Sequence, residues 1–112
     1  YVAYYKSEKR GYHPRSLNSN MGWNITSPLM RLNQHLWVAA SEIRTSVLIV
    51  HGEKAHSRYF GEEAYQRITS GKYAANKRLL MVPNATHCDL YDGGEGNFIP
   101  WNEIIGFYRS NI

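Results

Sequence analysis

The sequence is poor in the residues that cross-link small secreted proteins or bind metals. It contains one cysteine, Cys88, so an internal disulfide is excluded and the sulfur pair of a structural zinc site is missing. The histidines also lack the H-x-x-x-H spacing of a common zinc motif, so we predict neither a metal nor a cofactor. No apolar run approaches a membrane-spanning length, and none resembles a signal peptide. These features favour a cytoplasmic protein with no membrane partner.

Acidic residues are outnumbered by basic ones, 9 against 13, which gives a formal net charge of +4. An excess of positive charge raises the question of a nucleic-acid partner. The basic residues, however, are scattered singly or in pairs such as Lys9-Arg10 and Lys77-Arg78, and they form no basic stripe. We therefore predict an ordinary solvated surface that does not bind nucleic acid.

At 112 residues the chain is one domain or part of one, and it is short for an enzyme with an open parallel sheet. The first residue is Tyr1, not methionine, so we expect the natural chain to begin upstream. No internal repeat or heptad pattern is present, which excludes solenoids and coiled coils. We interpret the sequence as a piece of a larger fold.

The central pattern of the sequence is strand, helix, strand. Residues 47 to 50 are all aliphatic and predict a parallel strand that is covered on both faces. A helix-length stretch from 57 to about 69 follows, and residues 79 to 82 form a second apolar run. In a β-α-β unit the strands are parallel, and chemistry sits beyond their carboxyl ends. Those ends are residues 51 to 53 and 85 to 87.

Helical spacing also predicts which side chains are buried. On the crossover helix, Phe60, Ala64 and Ile68 repeat at i, i+4 and i+8 with Tyr65 beside them, so we expect this stripe to face the sheet. Pro100 opens a closing helix with apolar residues on one face. These are Trp101, Ile104, Ile105 and Tyr108.

The first part of the chain predicts a helix end over residues 1 to 6, a long connection, and one or two short helices in the run that begins at Ser27-Pro28 and extends to Ile43. Three large side chains in this part could line a binding cavity, but aromatic and methionine residues at helical spacing are more often core. We predict core for all three, which are Trp23, Met30 and Trp37.

The order strand, His51-Gly52-Glu53, crossover helix, strand, loop with His87 and closing helix resembles the C-terminal part of the alpha/beta-hydrolase superfamily, and three motifs carry the resemblance. They are H-G-E-K-A-H-S-R-Y-F at 51 to 60, A-T-H-C-D-L-Y-D at 85 to 92 and G-Y-H-P-R-S at 11 to 16. The closest likeness is to the bacterial and fungal dienelactone-hydrolase-like group. The resemblance implies an α/β fold in which parallel strands and crossover helices form a three-layer αβα domain. Residues 1 to 45 would be a connecting helical segment, and residues 46 to 112 the last two strands and closing helices.

The resemblance also implies a hydrolase of ester, lactone or related acyl bonds, with a small-molecule acyl substrate. In this superfamily the catalytic histidine follows the last strand, and His87 matches that position. Imidazole suits the role because its pKa lies near neutrality. The alternative is a loop histidine that caps a strand end and has no catalytic role. No such role is implied for His13, His35 or His51, while His56 is a candidate for the site mouth.

The triad acid is where the sequence departs from the family pattern. Many members carry Asp three residues after the glycine of H-G, and Ala55 stands there. Glu53, on the same strand-end turn, is our candidate for the catalytic acid because its carboxylate could orient the imidazole. A solvated loop glutamate is the alternative, and an acid from a missing part of the protein is another. Weaker candidates are Glu62, Glu63, Asp89 and Asp92.

The nucleophile is absent from this chain. No two glycines are four residues apart, so the elbow G-x-S-x-G cannot form, and we interpret Ser57 as structural. One hypothesis is therefore a serine-type hydrolase whose nucleophile lies elsewhere in a longer protein. The other is a non-catalytic interaction or structural domain, a pseudoenzyme that retains the hydrolase fold. Cutting a sheet leaves an open strand edge, so we also expect self-association or association with the missing N-terminal half.

Overall fold

The computed structural model describes residues 1 to 20 and 26 to 112, apart from the Asn18 side chain. It divides into two compact units, Tyr1–His35 and Leu36–Ile112. Trp23, which the sequence predicts as core, lies outside the described residues.

The unit Tyr1–His35 contains three short helices, α1 (Val2–Tyr5), α2 (Leu17–Asn20) and α3 (Ser27–Leu32). Its buried polar residue is Ser19, whose main-chain oxygen accepts a hydrogen bond from Lys6 Nζ and whose Oγ accepts one from the His13 N–H at 3.1 Å. Polar bonds of this kind hold the loop between α1 and α2. The helix start at Ser27-Pro28 is confirmed, since proline occupies the first turn of α3.

The prediction that Met30 and Trp37 are core is wrong. Met30 is 69% exposed and Trp37 is 38% exposed. Helix α3 ends at Leu32, and residues 36 to 39 form turns before a 3₁₀ helix at Ala40–Glu42. Of the one or two short helices predicted here, α3 contains Met30, and Trp37 lies in the turns that follow it, so the two side chains share no helix face.

The unit Leu36–Ile112 contains the predicted β-α-β arrangement. Strand β1 (Val47–Gly52) pairs in parallel with β2 (Lys77–Val82), with Val47 opposite Lys77 and Gly52 opposite Val82. Between them lie α4 (Arg58–Thr69) and a 3₁₀ helix (Ala74–Asn76), and β2 is followed by α5 (Asp89–Asp92) and α6 (Trp101–Asn111). Within the described residues this is a mixed α/β unit with a two-stranded parallel sheet.

Helix α4 packs on the sheet through its smallest residue. Gly61 and Ile68 are buried, and a Cβ built on Gly61 would lie 3.0 Å from His51 Cδ2 and 3.5 Å from Ile49 Cγ2. The predicted stripe is therefore right at Ile68 and wrong at Phe60, which is 57% exposed. The packed face begins at Gly61, one residue after the predicted one, because the absent side chain lets the helix approach β1 closely.

The amino ends of the two strands are tied by a buried lysine. Lys77 is only 6% exposed, and its Nζ donates to the main-chain oxygens of Thr45 at 2.8 Å and Tyr73 at 3.1 Å, as well as to Asn76 Oδ1. Asn76 Nδ2 in turn donates to Arg44 O at 2.7 Å. We call these five residues the amino-end clasp. They explain why β2 begins two residues before the apolar run.

The closing helix α6 begins at Trp101, directly after Pro100, as predicted. Arg78 of β2 pairs with Glu103 of α6 at 2.6 Å. The one-face spacing does not bury this helix in the described residues, since Trp101, Ile105 and Tyr108 are exposed. None of the helices in the described ranges is long and apolar enough to cross a membrane.

Candidate functional site

The loops that follow the two strands cross each other at a glycine. Gly52 is buried at the end of β1, and a Cβ added there would lie 2.4 Å from Ala85 O and 2.8 Å from Thr86 O. The next two residues bond to the other loop, with Glu53 N–H donating to Val82 O and Lys54 N–H to Ala85 O, both at 2.9 Å. Only glycine allows this close approach, which fixes the loop that carries His87.

A tight turn after β2 directs the second loop across the first. Asn84 has a left-handed backbone with φ of 61°, and the Ala85 N–H donates to Val82 O at 3.4 Å. Proline followed by asparagine with positive φ is typical of a type II turn. The Asn84 N–H donates to Glu53 Oε2 at 2.9 Å, so the glutamate ties this turn to the end of β1.

The imidazole of His87 lies between two hydroxyl groups. Its Nδ1 is 2.9 Å from Ser57 Oγ, and its Nε2 is 2.6 Å from Tyr91 Oη. The His51 ring lies edge-on to it with centroids 5.9 Å apart. We call His87, Ser57, Tyr91 and His51 the His87 cluster. It is assembled from the end of β1, the start of α4 and the segment after β2.

Each partner of His87 is positioned by local structure. Ser57 precedes α4, and its hydroxyl makes no capping bond to that helix. Tyr91 lies in α5, four residues after His87, and the turn that leads into this helix brings the phenol edge-on to the imidazole with its hydroxyl beside Nε2. The start of α5 is fixed by Asp89, whose Oδ2 accepts from the Thr86 N–H at 2.9 Å and from Thr86 Oγ1 at 2.6 Å. These two bonds tie Thr86 to the first residue of α5, whose N-cap is Cys88.

Burial lowers the pKa of His87 below its ordinary value of 6.5, and the neighbouring His51 and His56 lower it further. Burial acts in this direction because it removes water from the charged form, and a nearby positive charge also disfavours protonation. His87 is therefore neutral near pH 7 and can accept a proton.

The sequence-predicted residues lie near one another but differ in what they bond. His87 is at the predicted strand end, while Glu53 lies on the neighbouring turn with its carboxylate on the Asn84 N–H, and its role as the triad acid stays a prediction. Ala55 is buried, and His56 is exposed. The weaker carboxylate candidates bond elsewhere in the described residues: Glu62 with Arg58, Glu63 with Arg67, Asp89 with Thr86 and Asp92 with the Gly94 N–H.

Sequence reasoning missed Ser57 and Tyr91 as partners of His87. Ser57 is thirty positions from His87 along the chain, and its neighbour His56 drew attention to the wrong pairing. The available signal for Tyr91 was its i+4 spacing from His87. For Ser57 the signal was topological, because the residue that opens the crossover helix lies at the same sheet edge as the loop after the next strand. Within the described residues no group of three His, Cys, Asp or Glu side chains could hold a metal ion.

Comparison with known proteins finds a relative in both sequence and structure. No family model matches the chain. The whole chain is 42% identical over 113 residues to the uncharacterized protein PA2218 of Pseudomonas aeruginosa, and it spans 28% of that protein's length. The crystal structure of hypothetical protein PA2218 matches 96% of this chain with a TM-score of 0.75 and 41% identity, over 32% of that structure's chain. The chain is thus similar in sequence and fold to about a third of a longer bacterial protein.

Proposed function

We propose that this chain supplies the histidine general base of a hydrolase that acts on ester, lactone or related acyl bonds. The observation that carries the proposal is the His87 cluster, in which a half-buried imidazole lies beyond the carboxyl ends of parallel strands with a hydroxyl on each ring nitrogen. Strand carboxyl ends are where open α/β sheets bind their ligands. The motifs that resemble the dienelactone-hydrolase-like group support the same reading.

The chemistry follows from the state of the imidazole. A neutral His87 takes the proton of an attacking hydroxyl as the new acyl bond forms, and then gives it to the leaving oxygen as the old bond breaks. The lowered pKa keeps the base unprotonated near pH 7 and makes the imidazolium a readier acid for the second step. In this structure the Tyr91 hydroxyl lies beside Nε2 at 2.6 Å, so an attacking hydroxyl has to displace it to reach this nitrogen.

The nucleophile and the oxyanion donors belong, in this proposal, to other parts of a longer protein. The elbow G-x-S-x-G does not occur in these 112 residues. The chain spans 28% of PA2218, which leaves ample sequence in such a protein for the rest of a three-layer αβα hydrolase domain. The buried free thiol of Cys88 is compatible with the reducing cytoplasm that we propose as its location.

The test is turnover of activated esters and aryl lactones by the native protein with His87 replaced. We expect His87→Ala to lower kcat/KM by about a hundredfold or more, the usual size of a general-base contribution. The matched control is His35→Gln, since His35 is an exposed histidine. Near-normal turnover by His87→Ala would contradict the proposal.

The second candidate is a non-catalytic domain that retained the hydrolase fold. The observation that favours it is the Glu53 carboxylate, which is engaged with the Asn84 N–H as a structural tie. In this case the native protein would turn over none of the acyl substrates and would not react with a fluorophosphonate probe. Labelling of a serine by that probe would exclude this candidate.

We also propose that the strand edges associate with another chain or with the rest of a longer protein. In the described residues β1 and β2 pair only with each other, so each has an outer edge of main-chain donors and acceptors. Such edges pair readily with further strands. Sedimentation of the 112-residue chain at micromolar concentration should reveal a self-associated species, and a compact monomer with sharp thermal unfolding would contradict this proposal.

A further inference from the structure

We propose that Ser57 is the positioning residue of His87, with its Oγ accepting a hydrogen bond from the Nδ1–H of the imidazole. The bond would hold the tautomer in which Nε2 carries the lone pair, the atom that a general base uses. The role is the one that a triad acid performs, carried out here by a neutral hydroxyl. Its catalytic meaning rests on the proposed function, but the bond and the tautomer can be tested without turnover.

The geometry supports a fixed hydroxyl. Ser57 Oγ lies 2.9 Å from His87 Nδ1, a normal hydrogen-bond distance. Ser57 is half-buried and immediately precedes α4, which contacts β1 through Gly61. Serine at a helix start usually caps the helix, yet this hydroxyl makes no capping bond. Its side chain is directed to the imidazole instead.

The direction of the two hydrogen bonds follows from the acidity of the partners. A neutral imidazole has one N–H donor and one acceptor nitrogen, so only one of its two hydroxyl partners can donate to it. A phenol is a more acidic hydroxyl than that of serine, so Tyr91 is the better donor. Its distance to Nε2, 2.6 Å, is also shorter than the 2.9 Å between Ser57 and Nδ1. Tyr91 therefore donates to Nε2, and Nδ1–H donates to Ser57.

The charged and titratable groups near His87 are consistent with a neutral hydrogen-bond partner at Nδ1. Among the described residues of the unit Leu36–Ile112, titratable side chains near the ring include His51 at the end of β1, His56 before α4 and Tyr91 in α5. The nearby carboxylates of Glu53 and Asp89 accept from the Asn84 N–H and from Thr86. A serine hydroxyl adds no negative charge, so it orients the imidazole without favouring the imidazolium, whereas a triad aspartate does both.

The experiment is nitrogen-15 NMR of labelled histidines in the native protein, with pKa titrations of the wild type and three variants. In the wild type we expect Nδ1 of His87 to be protonated and Nε2 to be the bare nitrogen. Ser57→Ala should weaken that preference and lower the pKa of His87, because the imidazolium loses an acceptor. Ser57→Thr keeps the hydroxyl, so its tautomer preference and the pKa of its His87 should match those of the wild type. Ser57→Asp should raise the pKa by about one unit or more.

The opposite arrangement has the opposite signature. If Ser57 donated to Nδ1, the wild type would show the proton on Nε2, and Ser57→Ala would raise the pKa because the neutral ring would lose a donor. Either result would overturn the proposal, as would a Ser57→Thr variant that behaves like Ser57→Ala. The proposed function fails separately: a protein with the expected tautomer but no acyl turnover retains this inference and loses the general-base role.

Discussion

The two ends of the β1–β2 pair are both tied by polar side chains, but they are tied in different ways. At the amino ends, the Lys77 ammonium donates to main-chain and amide oxygens and is almost completely buried. At the carboxyl ends, the polar side chains of the His87 cluster bond to one another, and Tyr91 remains exposed. The first end uses its polar groups to hold the backbone, and the second places them where a ligand can reach them.

The difference matches where each end lies in a β-α-β unit. At the amino ends the polar groups only hold adjoining backbone segments together. The Lys77 ammonium does this by donating to carbonyl oxygens. The carboxyl ends gather loops from successive strands, so side chains distant in the chain meet there. Gly52 permits this meeting by removing the Cβ at the crossing of the two loops. Each of the following substitutions acts on one end and should spare the other.

The largest effect should come from Gly52→Ala. A Cβ there would meet Ala85 O at 2.4 Å and Thr86 O at 2.8 Å, so the crossing loops must separate. We expect a loss of about 1 to 3 kcal/mol of unfolding free energy, the usual cost of overpacking, measured by urea denaturation. The control is Gly106→Ala in α6, where nothing lies within 4 Å and stability should rise by about 0.5 to 1 kcal/mol. Equal stability of the two variants would contradict the close crossing.

Lys77→Met should destabilise the other end. The change leaves the carbonyl oxygens of Thr45 and Tyr73 without the lysine donor, at a cost of about 1 to 3 kcal/mol. Lys54→Met, at an exposed lysine, should change stability by less than about 0.5 kcal/mol. The His87 NMR signals should stay where they are in Lys77→Met if the two ends are independent. A shift of those signals would show that the clasp also positions the site.

The stability of the chain should fall with acid in a way that depends on His87. Its folded pKa is lowered by burial and by His51 and His56, so the unfolded chain binds more protons as the pH falls below about 6.5. Stability is then fully present above pH 6.5 and declines as the pH falls through the folded pKa. His87→Gln removes this contribution, and urea midpoints from pH 8 to pH 5 should fall less steeply than in the wild type. If the urea midpoints of His87→Gln fell as steeply with pH as those of the wild type, the lowered pKa of His87 in the folded chain would be contradicted.

Tyr91→Phe should have the smallest effect, and we expect it to change only the pKa of His87. The phenol donates to Nε2 and stabilises the neutral ring, so its removal should raise the pKa of His87 towards 6.5. Carbon-13 NMR of the labelled imidazole measures the change. Tyr108→Phe is a control at an exposed tyrosine of α6. A pKa that falls in Tyr91→Phe would reverse the hydrogen-bond directions inferred above.

The strand-helix-strand order was predictable from the sequence because apolar runs and helical spacing report it directly. The predicted helix from residue 57 to 69 differs by one residue from Arg58–Thr69, and the last helix starts after Pro100 as predicted. The start of β2 was not predictable, since Lys77 looks like a surface residue until its three acceptors are known. Periodicity also placed Phe60 on the buried face, because glycine at position 61 carries no hydropathy signal for close packing.

The candidate site was predictable in position but not in its bonds. The place of His87 after the second strand follows from chain order, as does the nearness of Glu53. Which hydroxyl or carboxylate each ring nitrogen meets depends on loop crossing and side-chain direction, and neither is encoded in spacing. Ser57 is the example: it opens a helix, where a capping role is the usual expectation, and its hydroxyl lies on His87 instead.

The most direct test of the central claim is the pH dependence of acyl turnover by the native protein. If His87 is the general base, kcat/KM should be constant above its pKa and fall on the acid side with a midpoint below 6.5, which equals the pKa of His87 measured by NMR in the same protein. Tyr91→Phe should move both midpoints upward together. A midpoint that does not follow the NMR pKa of His87, or one that Tyr91→Phe leaves in place while that pKa rises, would contradict the account.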